Sequence, residues 1–300
     1  MPYLARILIY PIKSLDGVAV NRATVLPGGS LEFDRQFAIF DEKGKFVNGK
    51  RNAKVHLLRT SFDLDAQTIT LQVQGSEQSE VFNLCEDQIE LETWLSHFFD
   101  QNVFLRQNKH CGFPDDTDAS GPTVISTATL EAVANWFPDI SIDSMRSRLR
   151  ANLEIEDVPA FWEDQLFANS DEVCEFKVGD LRVGGINPCQ RCVVPTRDPL
   201  TSEAYPQFQK IFMRKRRETL PSWANSSRFN HFFRLSVNTK IPTEEAGKGL
   251  DLTLPSLKAW GFSLLRESLE STELNPDTFP DLKTAQRAFF RDSPSLLRSN

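Results

Sequence analysis

The residues best suited to chemistry are Cys189 and Cys192 in the run Asn187-Pro188-Cys189-Gln190-Arg191-Cys192, followed by Val193-Val194-Pro195-Thr196-Arg197-Asp198-Pro199. A thiolate is both a nucleophile and a soft metal ligand, and a neighbouring cation such as Arg191 favours its charged form. A C-x-x-C pair can be half of a zinc site, but this needs two further Cys or His ligands. No second C-x-x-C exists, and His110 and His231 stand alone. A thioredoxin-type redox pair sits at a helix N-terminus, whereas Val193-Val194-Pro195 reads as extended. A single cysteine acting as ligand or nucleophile, and a buried structural thiol, both remain open.

A second set of residues suggests an anion. Lys13 lies in a turn, Tyr10-Pro11-Ile12-Lys13-Ser14-Leu15-Asp16-Gly17. Arg35 follows in Phe33-Asp34-Arg35-Gln36-Phe37, Lys50 in Asn48-Gly49-Lys50-Arg51-Asn52, and Arg150 and Asn152 in Arg148-Leu149-Arg150-Ala151-Asn152. Loop-end clusters of Lys, Arg and Asn are suited to grip phosphate. Asp198, just before Pro199, reads equally as a turn residue or as an acid on the substrate side.

The elements that must position these residues are mostly strands in the first ~110 residues. Segments 4–10, 18–26, 35–41 and 68–73 combine β-branched and aromatic residues, separated by Asp16-Gly17, Pro27-Gly28-Gly29, Lys43-Gly44 and Gly75-Ser76. Ile89, Leu91, Trp94, Leu95 and Phe98 form a helical face. The polar stretch 107–122, with Asp115-Asp116-Thr117-Asp118, reads as a solvated linker. Beyond it, a short strand at Val124-Ile125 leads into a helix capped by Ser126 or Thr127. Strands are expected at 152–155, 173–178, 181–183, 232–237 and 250–254, with a basic helix at 208–217. The tail reads as two helices, near 257–269 and 282–290.

Composition narrows the class. The chain has 300 residues, 40% hydrophobic and 25% charged, with net charge −7 and a pI near 5.3. That balance favours neither nucleic acid nor an anionic membrane as partner. No apolar run approaches the roughly 18 residues that span a bilayer, and the N-terminus has no signal-peptide core, so a cytoplasmic protein is expected. Five cysteines in a chain of this length argue against a disulfide framework.

The combination Y-P-I-K-S-L-x-G, D-R-Q-F, R-L-R-x-N before a strand, and C-x-R-C-x-x-x-T-x-D-P resembles the MOSC (molybdenum cofactor sulfurase C-terminal) superfamily across residues 1–255. Within it, the pattern is similar to the mitochondrial amidoxime-reducing component and its bacterial relatives. The resemblance implies a mainly β protein with helices: an N-terminal β-barrel domain (1–110), a MOSC β-barrel domain (111–255) and a helical tail (256–300). It implies a molybdenum–pterin cofactor with Cys192 on the metal, and Lys13, Arg35, Lys50, Arg150, Asn152 and Arg191 near the cofactor. Lys50 and Lys54 stand where relatives often carry arginine. Asp198 aligns with a family aspartate and is the second catalytic candidate. The implied activity is reduction of small N-oxygenated substrates such as amidoximes and hydroxylamines. Electrons would come from a separate donor protein, because the chain carries no flavin, haem or iron–sulfur motif. The alternative is a sulfur carrier or cofactor-delivery protein using the same cysteine. Pyridoxal phosphate is not expected, nor is a fused sulfurase domain.

Overall fold

The computed structural model describes residues 2–252 and 262–264. In chain order the first part contains β1 (Tyr3–Ile9), β2 (Val18–Val20), β3 (Arg22–Thr24), β4 (Phe37–Asp41), β5 (Leu58–Asp63), β6 (Thr68–Val73), β7 (Ser79–Asn83), α1 (Gln88–Phe99) and β8 (Val103–Gln107). The second part contains β9 (Val124–Ser126), α2 (Thr127–Ala134), α3 (Ile142–Leu149), β10 (Leu153–Glu156), β11 (Cys174–Val178), β12 (Leu181–Gln190), α4 (Phe208–Glu218), β13 (Arg234–Lys240), β14 (Gly249–Asp251) and β15 (Phe262–Leu264). The expected class, mainly β with helices, is what the chain forms.

An eight-stranded sheet runs β15-β11-β12-β13-β9-β10-β1-β2, beside the pairs β14-β3 and β4-β8 and the three-stranded β5-β6-β7. The first strand therefore joins the sheet of the second half: Leu4 faces Ile155 and Ile7 faces Leu153, antiparallel. Leu4, Ile7 and Ile9 share one buried core with Val124, Leu153, Ile155 and Val237. Ile12 and Leu15, a few residues on, belong to a second core with Phe37, Leu71, Leu91 and Leu105. The segment Leu4–Leu31 thus contributes to both cores.

Local chemistry accounts for several elements. In α1, Leu91, Leu95 and Phe99 recur every fourth residue and form its buried stripe. Asp100 closes that helix in the left-handed region, as residues past a helix C-terminus often do. Ser126 caps α2 by accepting the Thr129 N–H, the expected start. Helix α3, unanticipated in the polar run Ile142–Leu149, is capped by Ser141 and buries Met145, Arg148 and Leu149.

The tail differs from expectation where it is described. Residues 262–264 lie inside the stretch read as a helix, yet they pair antiparallel with β11, Phe176 facing Leu264. This strand satisfies a β11 edge that would otherwise be unpaired. The rest of that stretch and the helix expected near 282–290 lie outside the described residues.

Candidate functional site

A cleft of about 1630 Å³ opens where the two cores meet. Lys13, Arg35, Lys50, Arg150, Asn152, Arg191, Cys192 and Asp198 all line it, although they come from segments up to 185 residues apart in sequence. Ile9 is in the first core and Ile12 in the second, so the crossing segment Tyr10–Lys13 must run along the cleft. Tyr10 is the ring on which two arginines converge. The Arg35 guanidinium lies 5.2 Å and that of Arg150 4.1 Å from its centroid. Both arginines have left-handed backbones, φ 51° and 55°, uncommon for residues with a Cβ. Arg150 takes that conformation as the residue closing α3, its N–H bonding Arg146 O. Burial pushes the Tyr10 pKa up, with Arg150 and Arg35 partly offsetting it.

Eleven Lys or Arg side chains and seven Asp line the cleft, a surplus of four positive charges in a chain whose net charge is −7. Most of these cations are already engaged. Lys13, 7% exposed at its side chain, donates to Phe113 O at 2.9 Å and to Asp115 Oδ1 at 2.7 Å. Burial lowers its pKa against the opposing pull of Asp115. Arg35 pairs with Asp34 and donates to Asn152 Oδ1 at 3.3 Å. Asn152, itself buried, also donates to Leu8 O at 2.9 Å and accepts the Thr123 N–H, which ties β1 to the start of β9. Arg191 donates to Leu149 O at 2.5 Å, to Cys189 Sγ at 3.2 Å and to Ser236 Oγ at 3.4 Å. Among the cleft cations, only Arg150 and Lys50 have side chains without an ion-pair or hydrogen-bond partner, and Arg150 Nη2 is fully buried. Burial lowers the Arg150 pKa and the Arg35 charge adds to this, opposed by Tyr10; a guanidinium nevertheless stays charged. A desolvated cation with unused donors is chemically suited to pair with an oxyanion.

The thiol loop differs from its expected form in two ways. β12 extends through Gln190, so Cys189 lies within a strand, at a register shift between the Pro188–Val237 and Gln190–Arg234 pairs. Such a bulge redirects side chains. Val194–Thr196, expected to be extended, forms a 3-10 turn instead. It is Cys189, not Cys192, that receives the Arg191 hydrogen bond. Two arginines clamp the loop. Arg148 from α3 donates to Pro195 O at 3.1 Å, to Arg197 O and to Asp198 Oδ2 at 3.0 Å. Arg59 from β5 donates to Pro199 O at 3.0 Å. Asp198 Oδ1 accepts the N–H groups of Leu200 at 2.9 Å and Thr201 at 3.0 Å, so both its oxygens shape the loop. Burial opposes its charge, but these N–H groups and Arg148 hold its pKa down.

Other readings of the sequence are corrected by tertiary contacts. The acidic run read as a solvated linker forms part of the wall. Asp115 binds Lys13, and Asp116 Oδ2 accepts from Asn238 Nδ2 at 3.2 Å and Asn187 Nδ2 at 3.4 Å. Burial disfavours the Asp115 carboxylate, yet Lys13 and Arg35 hold its pKa far below the ordinary range. Lys54 pairs with Asp100 and does not line the cleft. In the basic helix α4, Arg216 is fully buried and bound to Asp164, while Arg214 and Lys215 pair with Glu218. Arg148, Asp115 and His56 were missed as site residues; Arg148 alone carried a signal, its place in the R-L-R-x-N motif.

No group of three or more His, Cys, Asp or Glu among the described residues could hold a metal ion. A zinc site built from protein side chains therefore has no support here, and a lone thiolate fits a metal held otherwise by its own cofactor. No helix among the described residues is long and apolar enough to cross a membrane.

Comparison with known proteins accords with this geometry. Residues 1–104 match the MOSC N-terminal beta barrel domain and residues 118–241 the MOSC domain. The chain is 23% identical over 266 residues to the molybdenum cofactor sulfurase of Bos taurus, covering 72% of this chain and 29% of that protein. It is 26% identical over 249 residues to that of Danio rerio, covering 66% and 30%. It is 23% identical over 256 residues to that of Homo sapiens, covering 69% and 28%. The chain thus spans under a third of the length of the curated relatives it matches.

Proposed function

Since this chain belongs to the MOSC superfamily, we propose that its cleft holds a molybdenum–pterin cofactor and reduces small N-hydroxylated compounds. The observation that carries this reading is the unpartnered Arg150 guanidinium, stacked on Tyr10 in the same cleft as Cys192. The residues present fit the group: a buried cation without an anion, a surplus of positive charge, a half-buried Cys192 thiol that, unlike Cys189, is not engaged by Arg191, and ample volume. Arg150, with Lys50 beside the mouth, would hold the phosphate, and Arg35 would add long-range attraction while staying bound to Asp34. Cys192 would supply the protein's thiolate ligand. When bound, the cofactor supplies two-electron chemistry at the N–O bond of the substrate.

The chain's own contributions are positional and electrostatic. Arg148 from α3 and Arg59 from β5 fix the backbone of the thiol loop, which presets where the Cys192 sulfur stands. Asp198 acts within that clamp as a positioning residue. Cys189, held by Arg191, supports the loop and is not the ligand. The electrons come from a separate donor protein.

Metal and pterin analysis of protein expressed with molybdate tests this, beside Cys192→Ala. The expected result is molybdenum and pterin in the wild type and reduction of benzamidoxime by a chemical reductant. Wild-type protein free of both would end the proposal. A second reading, sulfur carriage or cofactor delivery, is favoured by the similarity to molybdenum cofactor sulfurases. It predicts a persulfide at Cys192 after exposure to a sulfane-sulfur donor, with no turnover of N-hydroxylated substrates.

A further inference from the structure

His56 lines the cleft but has no place in the sequence motifs. Its carbonyl oxygen accepts from Arg59 Nη2 at 2.7 Å, the nitrogen that also binds Pro199 O in the thiol loop. Its ring lies against Gly49, where a Cβ would come within 2.9 Å of His56 Nε2 and 3.3 Å of Val194 Cγ2. His56, Gly49 and Val194 therefore meet where the first half of the chain touches the thiol loop. Glycine leaves room there for the imidazole. Nε2 is buried and has no hydrogen-bond partner, so no fixed acceptor holds a proton on it.

We propose that His56 is the proton-coupling residue of this cleft: when an anion fills the guanidinium cluster, the imidazole takes up one proton from solvent and becomes a cation beside the thiol loop. The proposal rests on the reading of the cleft as an anion site. The charged groups around the ring come from three elements: Arg59 on β5, Arg148 and Arg150 at the end of α3, and Arg197 in the thiol loop. Two acids adjoin this cluster and are each taken up by one of its arginines: Asp16 is bound to Arg59 at 3.4 Å and Asp198 to Arg148 at 3.0 Å. Burial first, then these guanidiniums, push the His56 pKa down to about 4 in the empty cleft, so the ring is neutral at pH 7. A bound anion cancels much of that repulsion, and the pKa rises toward its ordinary value near 6.5. By linkage, anion affinity must then rise as pH falls between these two values. A reduction that consumes protons would find in His56 a donor charged by the arrival of the anionic group itself.

The test uses sulfate, which keeps its double charge throughout this range, and the ring resonances of His56 in the full-length protein. In chloride, the His56 midpoint is expected near 4. Saturating sulfate should raise it by at least one unit, and a one-unit rise makes sulfate binding about fivefold tighter at pH 4 than at pH 7. His56→Gln should bind sulfate with an affinity that no longer changes across this window. Arg150→Ala should raise the chloride midpoint and shrink the sulfate response. Sulfate binding with an unmoved His56 midpoint overturns the proposal and leaves the anion site standing. Absence of sulfate binding removes both. The wild-type titration decides the matter even if the variants fold poorly.

Discussion

Arg148 and Asp198 meet at 3.0 Å, one buried in helix α3 and the other in the loop that carries Cys192. The contact fastens the loop just after the 3-10 turn to the end of a helix. Arg148 makes further bonds to two carbonyl oxygens of the same loop. Removing Arg148 leaves three acceptors unpaired, whereas Asp198→Asn keeps the oxygen that accepts the Leu200 and Thr201 N–H groups. Arg148→Ala should therefore cost about 2–3 kcal/mol and Asp198→Asn about 1 kcal/mol. Urea unfolding should show this order; equal losses would mean that the ion pair, not the carbonyl bonds, does the holding.

In the proposed reading, Arg150 is the anion anchor. Replacement by Ala should weaken sulfate or phosphate binding roughly 10- to 100-fold, the range for one charge-assisted contact. Lys54→Ala, whose ammonium is bound to Asp100 outside the cleft, should change nothing. Isothermal titration at fixed salt compares the two.

The two thiols should separate cleanly. Cys192→Ala should retain less than about a tenth of the wild-type molybdenum, as expected when the protein's thiolate ligand is lost. Cys189→Ala should keep most of it, because Arg191 remains anchored on Leu149 O and Ser236 Oγ. Elemental analysis of matched preparations is sufficient, and equal depletion would show that the pair works together.

A buried acid away from the cleft sets part of the pH dependence of stability. Glu163 accepts from Ser126 Oγ at 2.9 Å and Thr129 Oγ1 at 3.0 Å, and its Oε1 has no partner. Burial, reinforced by the Asp164 charge, raises its pKa to about 7. The unfolded chain releases this proton near pH 4.5, while the native state holds it until about 7. The stabilisation is complete below 4.5 and is lost as pH rises to about 7, on the order of 3 kcal/mol. Glu163→Gln should remove that slope, read as the difference between the two stability curves.

The chemistry of the site was more legible in the sequence than its support. Lys13, Arg35, Arg150 and Cys192 stood in short motifs whose residue types and spacing are visible along the chain, and all four line one cleft. What the motifs cannot express are contacts made across long separations. The Asp115–Lys13 pair spans 102 positions and turns an apparent linker into part of the wall. Arg216 lay in the expected basic helix, yet Asp164, 52 positions earlier, pairs with it in the interior. Strand pairing overrode local pattern twice, when β13 drew β12 out past Cys189 and when β11 recruited 262–264. His56 carried no signal, since its significance comes from four arginines gathered from three elements.

The insertion of β1 beside β10 has a mechanical consequence. The chain enters the sheet of its second half before building the core of its first, so the two cores are joined through the Tyr10–Lys13 crossing, which the Arg35 N–H to Tyr10 O and Lys13 N–H to Phe37 O bonds hold in place. A fragment beginning near residue 111 would lose two strands of its sheet, and its exposed β10 edge would make it prone to aggregate.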